Sequence, residues 1–240
     1  MWEEFPPIST AEWEAAIREE LGGTDYQKKL IWHAEGGITV RPYYRRQDSP
    51  PGAESAPRFT GQWRAGNAAE IPADAVRADL LQEQGATAVL QIARALAESA
   101  GKRSTFAFAV GGNYFFEIAK LRAARQVWAR ISPAPMIIWS RTSPKTELPH
   151  DPASALIRCT TEAMSAIFGG CDVLVLEDAE LSAHLWETLP RILAEESHFD
   201  QVSDPAGGSY YIEALTWSIA AEAWKVYEES HQGGSRLAQQ

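Results

Sequence analysis

Along residues 105–110, large side chains (Phe106, Phe108, Val110) alternate with Ala107 and Ala109. That is a period of two in a segment apolar on both faces, which predicts a buried parallel strand. Gly111 and Gly112 end it, and Asn113 stands where a side-chain oxygen can cap a helix. Phe116, Ala119, Ala123 and Val127 then recur at helical spacing, leaving Glu117, Lys120 and Arg130 on other faces. The unit is strand, two-glycine elbow, helix. Its elbow lies at the carboxyl end of the strand, where parallel α/β folds build their sites.

Three further units follow the same alternation. Residues 75–80 (Ala-Val-Arg-Ala-Asp-Leu) predict a weak first strand, followed by a helix over 87–99 with Val89, Ile92 and Leu96 on one face. A third strand is expected over 136–140, after Pro133 and Pro135 stop the preceding helix. Its own helix covers 152–168, with Leu156, Cys159, Ala163 and Ile167 facing inward. Residues 172–177 predict a fourth strand, entered through Gly169 and Gly170, and a helix over 182–196. A turn-rich passage over 198–213 leads to a closing helix over 214–229 and a polar tail. This order implies a parallel sheet with right-handed crossovers.

Ahead of these units, Ser9 or Thr10 with Glu12 forms a capping-box signal, and Trp13, Ala16, Ile17 and Leu21 make an apolar stripe that Gly22 and Gly23 end. Residues 36–44 read as extended. Residues 46–57, rich in Asp, Ser, Pro and Gly, read as a linker. The expected organisation is an N-terminal arm and linker over 1–57 and an α/β domain over 58–240. The aromatic load of the arm (Trp2, Trp13, Trp32, Tyr43, Tyr44) fits either packing on its own domain or anchoring an interface.

Composition narrows the function. The chain has 240 residues, 45% of them hydrophobic, enough for a core. With 32 acidic and 22 basic residues its formal charge is -10, which argues against nucleic acid and anionic membrane as partners. Cys159 and Cys171 are expected as buried thiols. The first residues carry neither the basic region nor the apolar core of a signal peptide, so the expected compartment is the cytoplasm. No Ser-His-Asp or Cys-His arrangement and no P-loop is signalled.

The block Gly112-Asn-Tyr-Phe-Phe-Glu-Ile-Ala-Lys-Leu-Arg-Ala-Ala-Arg125 closely resembles one in the methylmalonyl-CoA mutase family, adenosylcobalamin-dependent enzymes built on a (β/α)8 barrel. Gln82-Glu-Gln-Gly-Ala-Thr87, Thr160-Thr-Glu-Ala-Met-Ser-Ala166 and Asp204-Pro-Ala-Gly-Gly-Ser-Tyr-Tyr-Ile-Glu-Ala-Leu-Thr216 resemble further blocks in the family's order. The beginning resembles the small, non-cobalamin-binding subunit, whose arm wraps on its partner. The likeness fails between Gly61 and Asp74, where the family carries early barrel strands. A complete barrel takes about 250 residues, so the resemblance implies a partial (half) TIM-type barrel with an N-terminal arm. Its open edges would be covered by flattening, by a second copy or by a larger partner, association being preferred.

The resemblance implies adenosylcobalamin as cofactor, an acyl-CoA substrate, and a partner that is either a cobalamin-binding mutase subunit or a second copy. None of the histidines begins the family's His-Asp-Gly cobalamin signature, so the cofactor is expected on the partner. The Tyr-His pair that the family's catalytic subunits carry is replaced by Asp79 and Leu80, and Leu80 cannot hydrogen-bond a thioester carbonyl. By resemblance, Asn113 and Glu117 face the adenosyl ribose, and Arg141, Thr142 and Ser143 face substrate. Read without the family, Asn113 is a helix cap and Glu117 a solvated acid. Pro144 and Lys145 depart from the family's Gly-Trp. The expected activity is isomerisation of methylmalonyl-CoA and succinyl-CoA within a complex, or else a non-catalytic interaction or CoA-binding module.

Overall fold

A computed structural model describes residues 8–49, 62–143, 152–177 and 183–232. The chain divides into two compact units, Met1–Tyr43 and Tyr44–Gln240. In the first, α1 (Thr10–Glu20) opens on the expected capping box. Ser9 Oγ accepts from the Glu12 amide at 3.2 Å, and the Glu12 carboxylate accepts from the Ser9 amide at 2.8 Å. A short α2 (Tyr26–Leu30) leads into an antiparallel pair, β1 (Trp32–His33) and β2 (Thr39–Val40). Trp13 packs on Tyr43 with ring centroids 3.7 Å apart, so this aromatic pair is satisfied inside its own unit.

The second unit is an α/β layer. Its strands are β3 (Arg64–Gly66), β4 (Val76–Arg77), β5 (Thr105–Val110), β6 (Ile137–Thr142) and β7 (Val173–Val175). They form one parallel sheet in the order β3-β7-β6-β5-β4. From β4 to β7 every crossover steps one strand along in the same direction. Right-handed connections then put α4 (Ala88–Ser99), α5 (Tyr114–Ile131) and α6 (Pro152–Phe168) on a single face, as in a barrel wall. Among the described residues the sheet does not close, which makes it a partial TIM-type barrel of five staves.

The outer face carries the large residues of β5. Phe106 and Phe108 are fully buried, and Phe106 meets the edge of Trp128 on α5 at 5.2 Å. A long α8 (Tyr210–Gln232) packs chiefly on α5 and α4, burying Ile212, Leu215, Ile219 and Ala223. Its start is fixed electrostatically. Arg122 of α5 reaches both Asp204 and Glu213, the latter at 2.7 Å, and Glu213 also accepts from the Gly208 amide at 3.1 Å. The passage 204–208 is a turn, as the turn-rich composition predicts, with φ of 48° at Asp204 and 81° at Gly208.

Several sequence expectations need correction. The first βα unit keeps only Val76–Arg77 as strand; Ala78–Glu83 is already helix, α3, because Ala78 and Asp79 turn inward and are buried. β3 is a fifth strand in a stretch with no strand signal, held by its pairing to β7. β6 runs on to Thr142, the fourth strand shortens to Val173–Val175, and the closing helix starts at Tyr210. The helix expected over 182–196 is α7 (Ala183–Arg191) followed by a π-helical turn, Ile192–Glu196. Cys159 and Cys171 are buried thiols outside any disulfide, as expected, and burial pushes the Cys171 thiol up. Residues 50–57 of the linker, Pro144 and Lys145, and the tail beyond Gln232 lie outside the described residues. Among the described residues no helix is long and apolar enough to cross a membrane.

Phe106→Ala should destabilise the protein by about 3–5 kcal/mol, because it empties the junction between the sheet and α5. Urea unfolding followed by far-UV circular dichroism reads this. A loss below about 1 kcal/mol would mean that the outer face is not the main core.

Candidate functional site

The inner face, opposite the helices, is layered. Arg77, Ala107, Trp139, Val173 and Arg64 stand side by side in one row across the five strands. Ala109, Arg141, Val175 and Gly66 make the next row towards the carboxyl ends. In a barrel such rows fill the interior. Here they are filled by this chain. The connection 67–75 between the two edge strands places Ile71 against Ala107, Trp139, Val173 and Val175. The Arg64 guanidinium lies 5.2 Å from the Trp139 ring and reaches Glu70 of that connection at 3.3 Å. Gly66 is required by the packing. A Cβ there would come within 2.7 Å of Val173 and 3.2 Å of Trp139.

Above Trp139 sits a cluster of charges. Asp79, fully buried at the start of α3, accepts from Arg77 at 2.6 and 2.9 Å and from Arg141 at 2.9 Å. Arg141 also contacts Glu83 at 3.1 Å and, through Nε, Glu177 at 2.5 Å, the last as an ion pair without hydrogen-bond alignment. Burial works to raise the Asp79 carboxyl, but the hydrogen bonds and charges of Arg77 and Arg141 outweigh it and hold the group below the usual carboxylate range. Thr142, fully buried, clamps Glu177 from both sides: its hydroxyl accepts from the Glu177 amide at 2.7 Å and donates to the Glu177 carbonyl at 2.8 Å. The Ser143 amide donates to Glu162 of α6 at 3.3 Å, and Glu162 is paired with Arg158 at 3.0 Å.

At the elbow the expectations divide. Asn113 makes no side-chain cap; it is exposed, with backbone angles of −88° and 78°. Glu117 is buried rather than solvated. It accepts from Gln82 at 3.1 Å and pairs with Lys120. Lys120, which the helical spacing leaves off the apolar stripe, is nonetheless 1% exposed and donates to the Ala109 carbonyl at 2.7 Å and to Gln82 at 2.9 Å. This ties α3, the end of β5 and α5 together under the glycines. The structure therefore gathers Arg141 and Thr142 around Glu177, sets Ser143 on α6, and leaves Asn113 outside with Glu117 beneath. Sequence reasoning missed Lys120, Gln82, Glu83 and Glu177. Their signal is long-range charge complementarity, which no local pattern carries.

The fold and site define an α/β half-barrel with a polar cluster at the carboxyl ends of its strands. Residues 60–239 match the family model described as methylmalonyl-CoA mutase, and the chain belongs to that family. It is 37% identical over 155 residues to the methylmalonyl-CoA mutase small subunit of Porphyromonas gingivalis, covering 57% of this chain and 25% of the relative. It is 37% identical over 183 residues to the methylmalonyl-CoA mutase of Cereibacter sphaeroides, covering 62% and 26%. To the large subunit of Propionibacterium freudenreichii subsp. shermanii the identity is 32% over 187 residues, covering 64% and 26%. The chain thus spans about a quarter of the length of the curated relatives it matches.

The residues present do not fit adenosylcobalamin on the inner face. Arg141 and Asp79 are consumed by each other and their neighbours, and Ile71 and Trp139 occupy the volume beneath. Among the described residues no group of three His, Cys, Asp or Glu could hold a metal ion. His198, followed by Phe199 and Asp200 in the sequence, lies exposed in a turn with φ of 57°.

Asp79→Asn should cost about 3–5 kcal/mol at neutral pH, because two guanidiniums lose their shared carboxylate in a buried place. The native Asp79 pKa lies below its unfolded value of about 3.9. The stabilisation is therefore complete above that pH and disappears as the native group takes up a proton on further acidification. The difference between wild type and variant reads the contribution of the Asp79 carboxylate. Parallel urea titrations at pH 7 and pH 3 measure it; a gap unchanged at pH 3 would contradict the assignment.

Proposed function

We propose that this chain is an auxiliary subunit in the adenosylcobalamin-dependent isomerisation of methylmalonyl-CoA and succinyl-CoA, or a related acyl-CoA. The observation that carries the reading is an inner face closed on itself within a family scaffold whose strand-end elbow is kept. A cobalamin-binding mutase subunit, or another copy in a complex with one, holds the cofactor and the acyl-CoA. This chain supplies wall and loops. Its exposed Asn113 faces the partner's ligand, while Glu117, Arg141, Thr142 and Ser143 hold the loops around it. The names of the relatives as small and large subunits support such a pairing. Adenosylcobalamin supplies the radical chemistry when bound to the partner; the wall contributed here excludes water and fixes orientation.

A second reading is a non-catalytic interaction or CoA-binding module derived from the barrel, of which the occupied Arg141 favours the interaction form. One assay separates them. Co-purified with its cobalamin-binding subunit, the chain should raise kcat/KM for methylmalonyl-CoA at least about 10-fold, the equivalent of roughly 1.4 kcal/mol of transition-state stabilisation. An Asn113→Ala chain should keep the association and lose part of the gain. Unchanged isomerase activity on adding the chain would leave the interaction module as the function.

A further inference from the structure

We propose that Asp79 is an internal stand-in for a ligand carboxylate, filling an anion site between Arg77 and Arg141 that the half-barrel would otherwise present. The consequence is that the inner face of this chain is closed to acyl-CoA. The proposal does not depend on the subunit reading, since it concerns the chain by itself.

The geometry is that of a bound anion. One Asp79 carboxylate oxygen receives Arg77 Nε at 2.9 Å; the other receives Arg77 Nη2 at 2.6 Å and Arg141 Nη1 at 2.9 Å. Arg77 thus holds it in the bidentate manner by which guanidiniums recognise free carboxylates. The carboxylate is wholly buried, whereas the Arg77 side chain is 40% exposed, so a small ion has a way in once the Asp79 side chain is removed. Glu83 and Glu177 engage Arg141 from its other sides and would remain. They set the depth of the site and repel a second anion. Beneath it, Ile71 and Trp139 close the face, so no chain longer than a small carboxylate can follow. Asp79 lies on the first turn of α3, close in sequence to Arg77, so the plug is installed as soon as β4 and α3 form.

The test is chemical replacement. Asp79→Ala removes the carboxylate and leaves room for formate. Addition of about 100 mM formate, against chloride at equal ionic strength, should raise the folding equilibrium constant of this variant about 10-fold, as a site of about 10 mM affinity requires. The wild-type protein should show no such gain, and adding Arg141→Met to the Asp79→Ala variant should abolish it. If the variant is unfolded alone, recovery of native circular dichroism with formate and not with chloride reads the same way. No response to formate in either form overturns the proposal. In parallel, isothermal titration of the wild-type chain with methylmalonyl-CoA should give no saturable heat up to 1 mM, on the order of the weakest affinity such a titration reads. Micromolar binding that Arg141→Met removes would show instead that Arg141 is free for a ligand, and the plug would be refuted.

Discussion

A guanidinium cannot stand on the covered face of a parallel sheet without a counter-charge, and Arg141 stands there. Everything at the carboxyl ends of the strands answers to that requirement. Asp79 turns inward at the first residues of α3 to meet it, Arg77 is drawn in to share the carboxylate, and Thr142 holds the Glu177 backbone so that its side chain can reach Nε. Burying one partner without the others would cost several kcal/mol. The cluster is therefore a unit, and it decides where β4 ends and α3 begins.

The second constraint is the open sheet. A wall of four staves leaves an apolar inner surface and two edges exposed to water, and either is unfavourable. The chain covers the inner surface with a short stretch that looks ordinary in sequence, while β3 and β4 remain as edges of the described sheet. β3 adds a stave beside β7, and the connection that follows lays Ile71 over Trp139 and returns to the opposite edge. The small residues of β5 make this possible. Ala107 and Ala109 face inward and leave room for Trp139, while Phe106 and Phe108 face the helices. The alternation along β5 is thus the division between two cores of unequal width.

That division explains what was legible. The β5–α5 unit, α4 and α6 carry strong periodicities and lie where the pattern puts them. Arg64-Ala-Gly66 carries no pattern, because it is a strand only through its neighbour. Residues 75–80 satisfy both a strand and a helix start, and the choice is made by Arg141, far along the chain. Lys120 sits among helical positions that are usually solvated. Its burial depends on Gln82 and the Ala109 carbonyl, partners that helical spacing does not reveal. The family blocks identified the scaffold correctly, yet a block match says which residues are present and not which of them are already engaged.

For function, the consequence is a separation of roles. A mutase of this family needs a lumen that admits an acyl-CoA and shuts out water; on the proposed reading that lumen lies with the partner, because Ile71 packs over Ala107 and Trp139 on this inner face. At the elbow, Asn113 is exposed and Lys120 is buried below it, bonded to Gln82 and the Ala109 carbonyl; the proposed role of this edge is to abut a ligand held by the partner. Amide hydrogen exchange of the isolated chain across 137–143 and 173–177 tests the central claim most directly. A filled, self-sufficient core predicts that these amides exchange only through global unfolding, at the same rate with and without methylmalonyl-CoA. Fast exchange there that methylmalonyl-CoA slows would mean that the face is an open site awaiting its ligand, and would contradict the account.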